Sequence, residues 1–146
     1  MWYAIVSFIV IVLGWFFYDR NRMEKSLTKQ GGMSVIFEQL ISLIMEGEPN
    51  CRIIKEQRSS VYLSASTGAS MMLIEILMTF KKVTITYRTD SIAFGKHKLR
   101  WEFKANEDQE FIFYKMNSDI GTYLKNDKRT GAFYKALYDP DSDLNV

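Results

Sequence analysis

The chain has 146 residues, of which 47% are hydrophobic, and 19 basic against 17 acidic side chains leave a formal charge of +2. So even a balance excludes the strongly basic surface of a dedicated nucleic-acid binder, and no nucleic-acid partner is expected. One cysteine, Cys51, excludes an internal disulfide framework, and with a single histidine it cannot supply a tetrahedral zinc set, so neither metal nor cofactor is expected.

Residues 1–18, MWYAIVSFIVIVLGWFFY, carry no charged side chain and no proline. As a helix they reach about 27 Å, close to the hydrocarbon thickness of a bilayer, and are read as a transmembrane helix. A helix apolar on every side would otherwise need a complete protein wrapping. Trp2, Tyr3, Trp15 and Tyr18 stand at its two ends, where indole and phenol groups suit the headgroup layer. The bulky Trp15-Phe16-Phe17-Tyr18 run is a poor signal-peptidase site, so the segment is expected to be retained. Arg20, Arg22, Lys25 and Lys29 follow it, which places the N-terminus outside and the rest of the chain in the cytoplasm. The bilayer is the expected partner of residues 1–18, with Trp15, Tyr18, Arg20, Arg22 and Lys25 forming the membrane junction.

Residues 19–32 are polar, end in Gly31-Gly32 and read as a juxtamembrane linker. Residues 33–128 are long enough for one α+β domain. Its first element is a helix over residues 33–47, with Ser34 as N-cap, Met33, Phe37, Leu40, Ile41 and Ile44 at helical spacing, and Gly47 as the stop. From Cys51 to Phe103 the apolar period changes to two. CRIIKEQ reads as a strand, and Val61, Leu63 and Ala65, then Val83, Ile85 and Tyr87, then Leu99, Trp101 and Phe103 alternate with polar residues. Such alternation predicts a four- to five-stranded antiparallel meander covered on one face by two helices.

Residues 70–80, SMMLIEILMTF, are apolar on both parities. A strand is preferred because a helix apolar all round is hard to cover in a small domain, although Met, Leu and Glu are good helix formers. As a strand it turns Met72, Ile74, Ile76, Met78 and Phe80 to the core and leaves Met71, Leu73 and Leu77 on the second face. Those three are the candidate interface, for a protein partner or a second copy, unless Phe133, Tyr134 or Tyr138 of the tail covers them. A second helix follows, through Phe113, Met116, Ile120, Tyr123 and Leu124, with Asn106 as N-cap and Gln109 as its partner, and with Gly121 as a point of bending or fraying. Residues 129–146 read as a tail, partly disordered beyond the acidic DPDSD.

Chemistry is sparse. His97 lies among Lys96, Lys98 and Arg100 with no metal companion, and the catalytic arrangements the residue types allow are a Cys51–His97 nucleophile pair or a serine of the ASTGAS turn beside His97. The ASTGAS stretch, residues 65–70, lacks the second glycine and Lys-Ser/Thr of a phosphate loop and reads as a turn. No small-molecule substrate is indicated. The helix, sheet, helix order resembles secretion-chaperone-type domains, which bind other polypeptides; the resemblance is one of layout and assigns no residue. The leading expectation is a single-pass membrane protein presenting a non-catalytic interaction or assembly module. The alternatives are a membrane-surface enzyme using Cys51 and His97, and a small membrane-active protein of stress or phage type.

Overall fold

The computed structural model describes residues 2–128 and 130, with side chains from residue 7 onward except at positions 23, 24, 28 and 129. The tail expected over residues 129–146 lies outside the described residues apart from Thr130, which donates through its hydroxyl to the Leu124 carbonyl at 2.7 Å.

The first helix, α1, runs from Trp2 to Lys29 without a break. Two expectations change as a result. Residues 19–29, read as linker, are helical, and the helix that begins in apolar residues goes on through Asp19, Arg20, Arg22, Lys25 and Lys29. Among the described residues no helix is long and apolar enough to cross a membrane, which overturns the transmembrane reading of residues 1–18. Gly31 and Gly32 end α1 at positive φ, 96° and 91°, and the Gly32 amide donates back to the Leu27 carbonyl at 3.0 Å. This is a Schellman-type stop, which glycine accepts without a Cβ penalty.

The helix expected over residues 33–47 is two helices, α2 (Met33–Ile36) and α3 (Glu38–Gly47), broken at Phe37 with φ −106° and ψ 26°. Its N-terminus is not capped by Ser34. A carboxylate from the sheet, Glu56, accepts from the Ser34 amide and hydroxyl, each at 3.0 Å. A Cβ on Gly32 would lie 2.7 Å from that carboxylate, so the glycine serves both its φ and this approach.

The break itself has an identifiable cause. In a continuous helix the Leu40 amide would donate to the Ile36 carbonyl. Here the Gln109 side chain takes both places: its Oε1 accepts from the Leu40 amide at 2.9 Å and its Nε2 donates to the Ile36 carbonyl at 2.8 Å. Gln109 opens the last helix, α4 (Gln109–Asn126), so one amide splices two helices and ties them to a third. The cap of α4 is Asp108, which accepts from the Phe111 amide at 2.8 Å, in place of the expected Asn106 and Gln109 pair. Gly121 leaves α4 uninterrupted.

Between α3 and α4 run five antiparallel strands, β1 (Arg52–Glu56), β2 (Ser60–Thr67), β3 (Ser70–Thr79), β4 (Lys82–Ser91) and β5 (Gly95–Lys104), in the order 1-2-3-4-5. The fold is α+β with a meander sheet. Residues 70–79 are a strand, as the crowding argument preferred, but Phe80, expected on its core face, lies in the turn that follows and is half exposed because the strand ends at Thr79. Register sets Ile76 against Val61 and Ile85, and Ile74 against Leu63 and Tyr87. Those residues form the inner face, on which Phe37, Leu40, Ile41, Ile44, Ile112 and Met116 of the helices are buried. A register shift between Ile53 and Lys55 turns Glu56 toward α2. At the far edge Asp119 of α4 accepts from Trp101 Nε1 at 2.9 Å and from Lys115 Nζ at 2.8 Å, and these two bonds, the lysine's first, hold its carboxyl below the usual range.

Truncating Gln109 to Ala strands the Leu40 donor and the Ile36 acceptor together, and each unsatisfied buried group costs about 1–3 kcal/mol. Urea denaturation of Gln109→Ala is expected to show a lowered midpoint, with Gln109→Glu also lowered because it keeps an acceptor but no donor. Midpoints equal to that of the parent chain would remove the splice from the account of the fold.

Candidate interaction surfaces

Among the described residues, two surfaces remain after the helices have covered the inner sheet face. The first is the outer face, and the residues expected there are there. Met71 is 52% exposed, and Leu73 and Leu77 are half-buried, all pointing away from the helices because they alternate with Met72, Ile74, Ile76 and Met78. They do not form one unbroken strip. Glu75 stands between Leu73 and Leu77 and accepts from the Tyr62 hydroxyl at 2.9 Å, with Lys55 Nζ 5.9 Å from the Tyr62 ring centre.

Met71 and Leu73 floor a groove of about 330 Å³ whose walls include Arg88, Asp90, Lys96 and Lys98. Arg88 is the direct partner of Leu73 on one side and of Lys98 on the other. Like charges directly opposite on adjacent strands repel. Lys96 is answered by Asp90 at 3.4 Å, and Arg100 by Glu102 at 3.3 Å, whereas neither Arg88 nor Lys98 meets a carboxylate among the described residues. This cationic pair beside an apolar floor was only partly visible in the sequence. The alternation of β4 and β5 puts both residues on the wet face, but their direct opposition requires the register.

The second surface is α1. Every residue from Ser7 to Tyr18 is exposed, with Phe8, Trp15 and Tyr18 at 68%, 76% and 69%. Arg20, Arg22 and Lys25 follow on the same helix, also exposed, and α1 meets the domain through Leu27, which is buried. The cluster expected at a membrane junction is therefore contiguous on one element.

The candidate catalytic pair is not assembled. Cys51 precedes β1 and His97 lies on β5, the opposite edges of the sheet, about 19 Å apart at 4.8 Å per strand. His97 spends both ring nitrogens locally: Nε2 donates to the Phe94 carbonyl at 2.9 Å, which leaves Nδ1 to accept from the Tyr123 hydroxyl at 3.1 Å. Burial, and then the nearby Glu48 carboxylate, push the Cys51 thiol above its ordinary pKa, the reverse of an activated nucleophile. The ASTGAS stretch is a two-residue turn, Gly68-Ala69, between β2 and β3, and opens no helix. Among the described residues no group of three or more His, Cys, Asp or Glu side chains is placed to hold a metal ion.

A thiol that is buried and kept protonated is expected to react slowly with a disulfide reagent at neutral pH in the folded chain and fast once the chain is unfolded in urea. Equal rates in the two states would show that Cys51 is accessible and would reopen a nucleophilic role.

No family model, curated protein or solved structure matches this chain, so its function is argued from these surfaces alone.

Proposed function

We propose that this chain is a membrane-attached binding module, held to lipid by the apolar half of α1 and offering the outer face of its sheet to a protein partner. The observation that carries the reading is the exposure of Ser7–Tyr18 on all sides of the helix. Ten large apolar or aromatic side chains from Phe8 to Tyr18 are each at least half exposed. Moving them out of water is favourable on the order of 10 kcal/mol, at about 1.5–3 kcal/mol for each fully buried side chain. A protein sleeve would have to close around the whole circumference, whereas lipid surrounds a helix evenly without any designed contact. Attachment asks only that this half enter hydrocarbon, with Trp15 and Tyr18 at the interface and Arg20, Arg22 and Lys25 among the headgroups.

For the partner, Met71 and Leu73 supply an apolar floor and Arg88 with Lys98 supply positive charge that no carboxylate among the described residues meets. An acidic polypeptide segment with apolar side chains answers both, and it relieves the repulsion between the two cations. The separation of Cys51 from His97 weighs against the enzyme alternative.

Two measurements test the two halves of the proposal. In flotation with phosphatidylcholine and phosphatidylglycerol vesicles, the intact chain is expected to rise with the lipid and a chain lacking residues 2–18 to stay below; an intact chain that stays below sinks the attachment. Release of an entrapped dye by the intact chain would favour the membrane-active alternative instead. In crosslinking from the native membrane, Leu73→Glu and Arg88→Glu are expected to lose protein adducts made by the parent chain. Adducts unchanged in both variants would move the interface elsewhere.

A further inference from the structure

The hairpin joining β3 to β4 turns through Phe80 and Lys81, both at positive φ, 44° and 65°, between the paired residues Thr79 and Lys82. Two-residue turns with this backbone ordinarily carry Asn-Gly, because residues with a Cβ are strained there by about 1–3 kcal/mol each. A phenylalanine and a lysine in those two places are a poor choice for the turn itself. Phe80 is also poorly hidden, at 47% exposure.

Its position relative to α1 supplies the reason. The Phe80 ring lies 5.8 Å from that of Phe16, centre to centre, so the hairpin tip stands beside the apolar half of α1 and continues its surface. Around this junction lie Lys81 and Lys82 on the hairpin and Arg20 and Arg22 on the helix, all exposed. Among the described residues the carboxylates nearby include Asp19, which lines a groove with Phe80 and Lys81, and Glu102, 3.8 Å from Lys82. Lys104 adds a further cation directly opposite Lys82. An apolar surface bordered by a surplus of cations has the layering of a lipid monolayer, hydrocarbon below and anionic headgroups above.

We propose that the β3–β4 hairpin tip is a second lipid-contacting element, in which Phe80 enters the hydrocarbon edge beside Phe16 while Lys81, Lys82, Arg20 and Arg22 meet anionic headgroups. The inference rests on the lipid attachment of α1 proposed above and adds the orientation of the sheet. Strand β4 then stands tip-down on the membrane, and Ile92, 88% exposed in the turn at the other end of that strand, points away. At about 3.3 Å per residue the ten residues of β4 separate the two turns by about 33 Å. The outer sheet face is thereby held upright above the bilayer, open to a partner.

The test places an environment-sensitive fluorophore on the full chain at Phe8→Cys, Phe80→Cys or Ile92→Cys, Cys51 being buried, in phosphatidylcholine–phosphatidylglycerol vesicles carrying spin-labelled lipid. Probes at 8 and 80 are expected to shift to the blue and to be quenched by the labelled lipid, and the probe at 92 to stay aqueous. A lipid-embedded probe at 8 with a probe at 80 as aqueous as that at 92 would overturn the hairpin contact and leave the attachment of α1 standing. An aqueous probe at 8 would overturn the attachment and this inference with it. Adding Lys81→Glu and Lys82→Glu to the chain labelled at 80 is expected to abolish most of the blue shift, and an undiminished shift would overturn the role given to the cations. Because Asn-Gly suits the turn, Phe80→Asn with Lys81→Gly is expected to raise the urea midpoint, which shows that the native pair is not there for stability; a lowered midpoint would overturn that.

Discussion

A single side-chain amide holds the helical layer of this protein together. Gln109 stands where one hydrogen bond of a continuous helix would be, between the Ile36 carbonyl and the Leu40 amide, and so allows the chain to bend at Phe37 without leaving either group unpaired. Helix breaks of this sort arise when a side chain inserts into the backbone ladder. The bend places Phe37 and Leu40 on the inner face of the sheet, and the same residue brings the start of α4 against α3. A half-buried amide satisfied at both ends is geometrically exacting, which makes this junction a reference point for the packing around it.

With the inner face occupied, the surfaces left over determine what the molecule can do. A sheet of five strands has two faces, and three short helices cover one of them. The other keeps Met71 and Leu73 beside Arg88 and Lys98. On α1, hydrocarbon and charge are separated along the helix instead of around it: apolar on all sides to Tyr18, then Asp19, Arg20 and Arg22. The contact of Phe16 with Phe80 then brings the end of the sheet to the level of that boundary.

Much of the architecture was legible because it depends on local pattern. Alternation in Val61–Ala65, Val83–Tyr87 and Leu99–Phe103 marks strands with one wet face, and that reading needs only the period of two. The stretch at 70–79 yielded to a packing argument, since its outward Met71, Leu73 and Leu77 are tolerable on a sheet and hard to cover on a helix. The helix ends were misread for a common reason. Ser34 and Asn106 have the chemistry of N-caps, but the groups that satisfy those ends are Glu56, from a strand across the fold, and Asp108, two residues further on. The polar residues 19–29 are helical because Arg, Lys and Glu are good helix formers and only Gly31 and Gly32 break the helix.

The amino-acid sequence by itself determined a one-sided sheet of four to five strands, the apolar character of residues 1–18 and the presence of Met71, Leu73 and Leu77 on the second face of that sheet, because periodicity and hydropathy are properties of neighbours along the chain. Tertiary structure alone decided that Gln109 splices α2 to α3, that Arg88 faces Lys98, that Cys51 and His97 lie on opposite edges, and that Phe80 stands against Phe16. Each of these joins or separates residues far apart in the chain, and their meeting depends on strand register and helix packing, which no local pattern encodes.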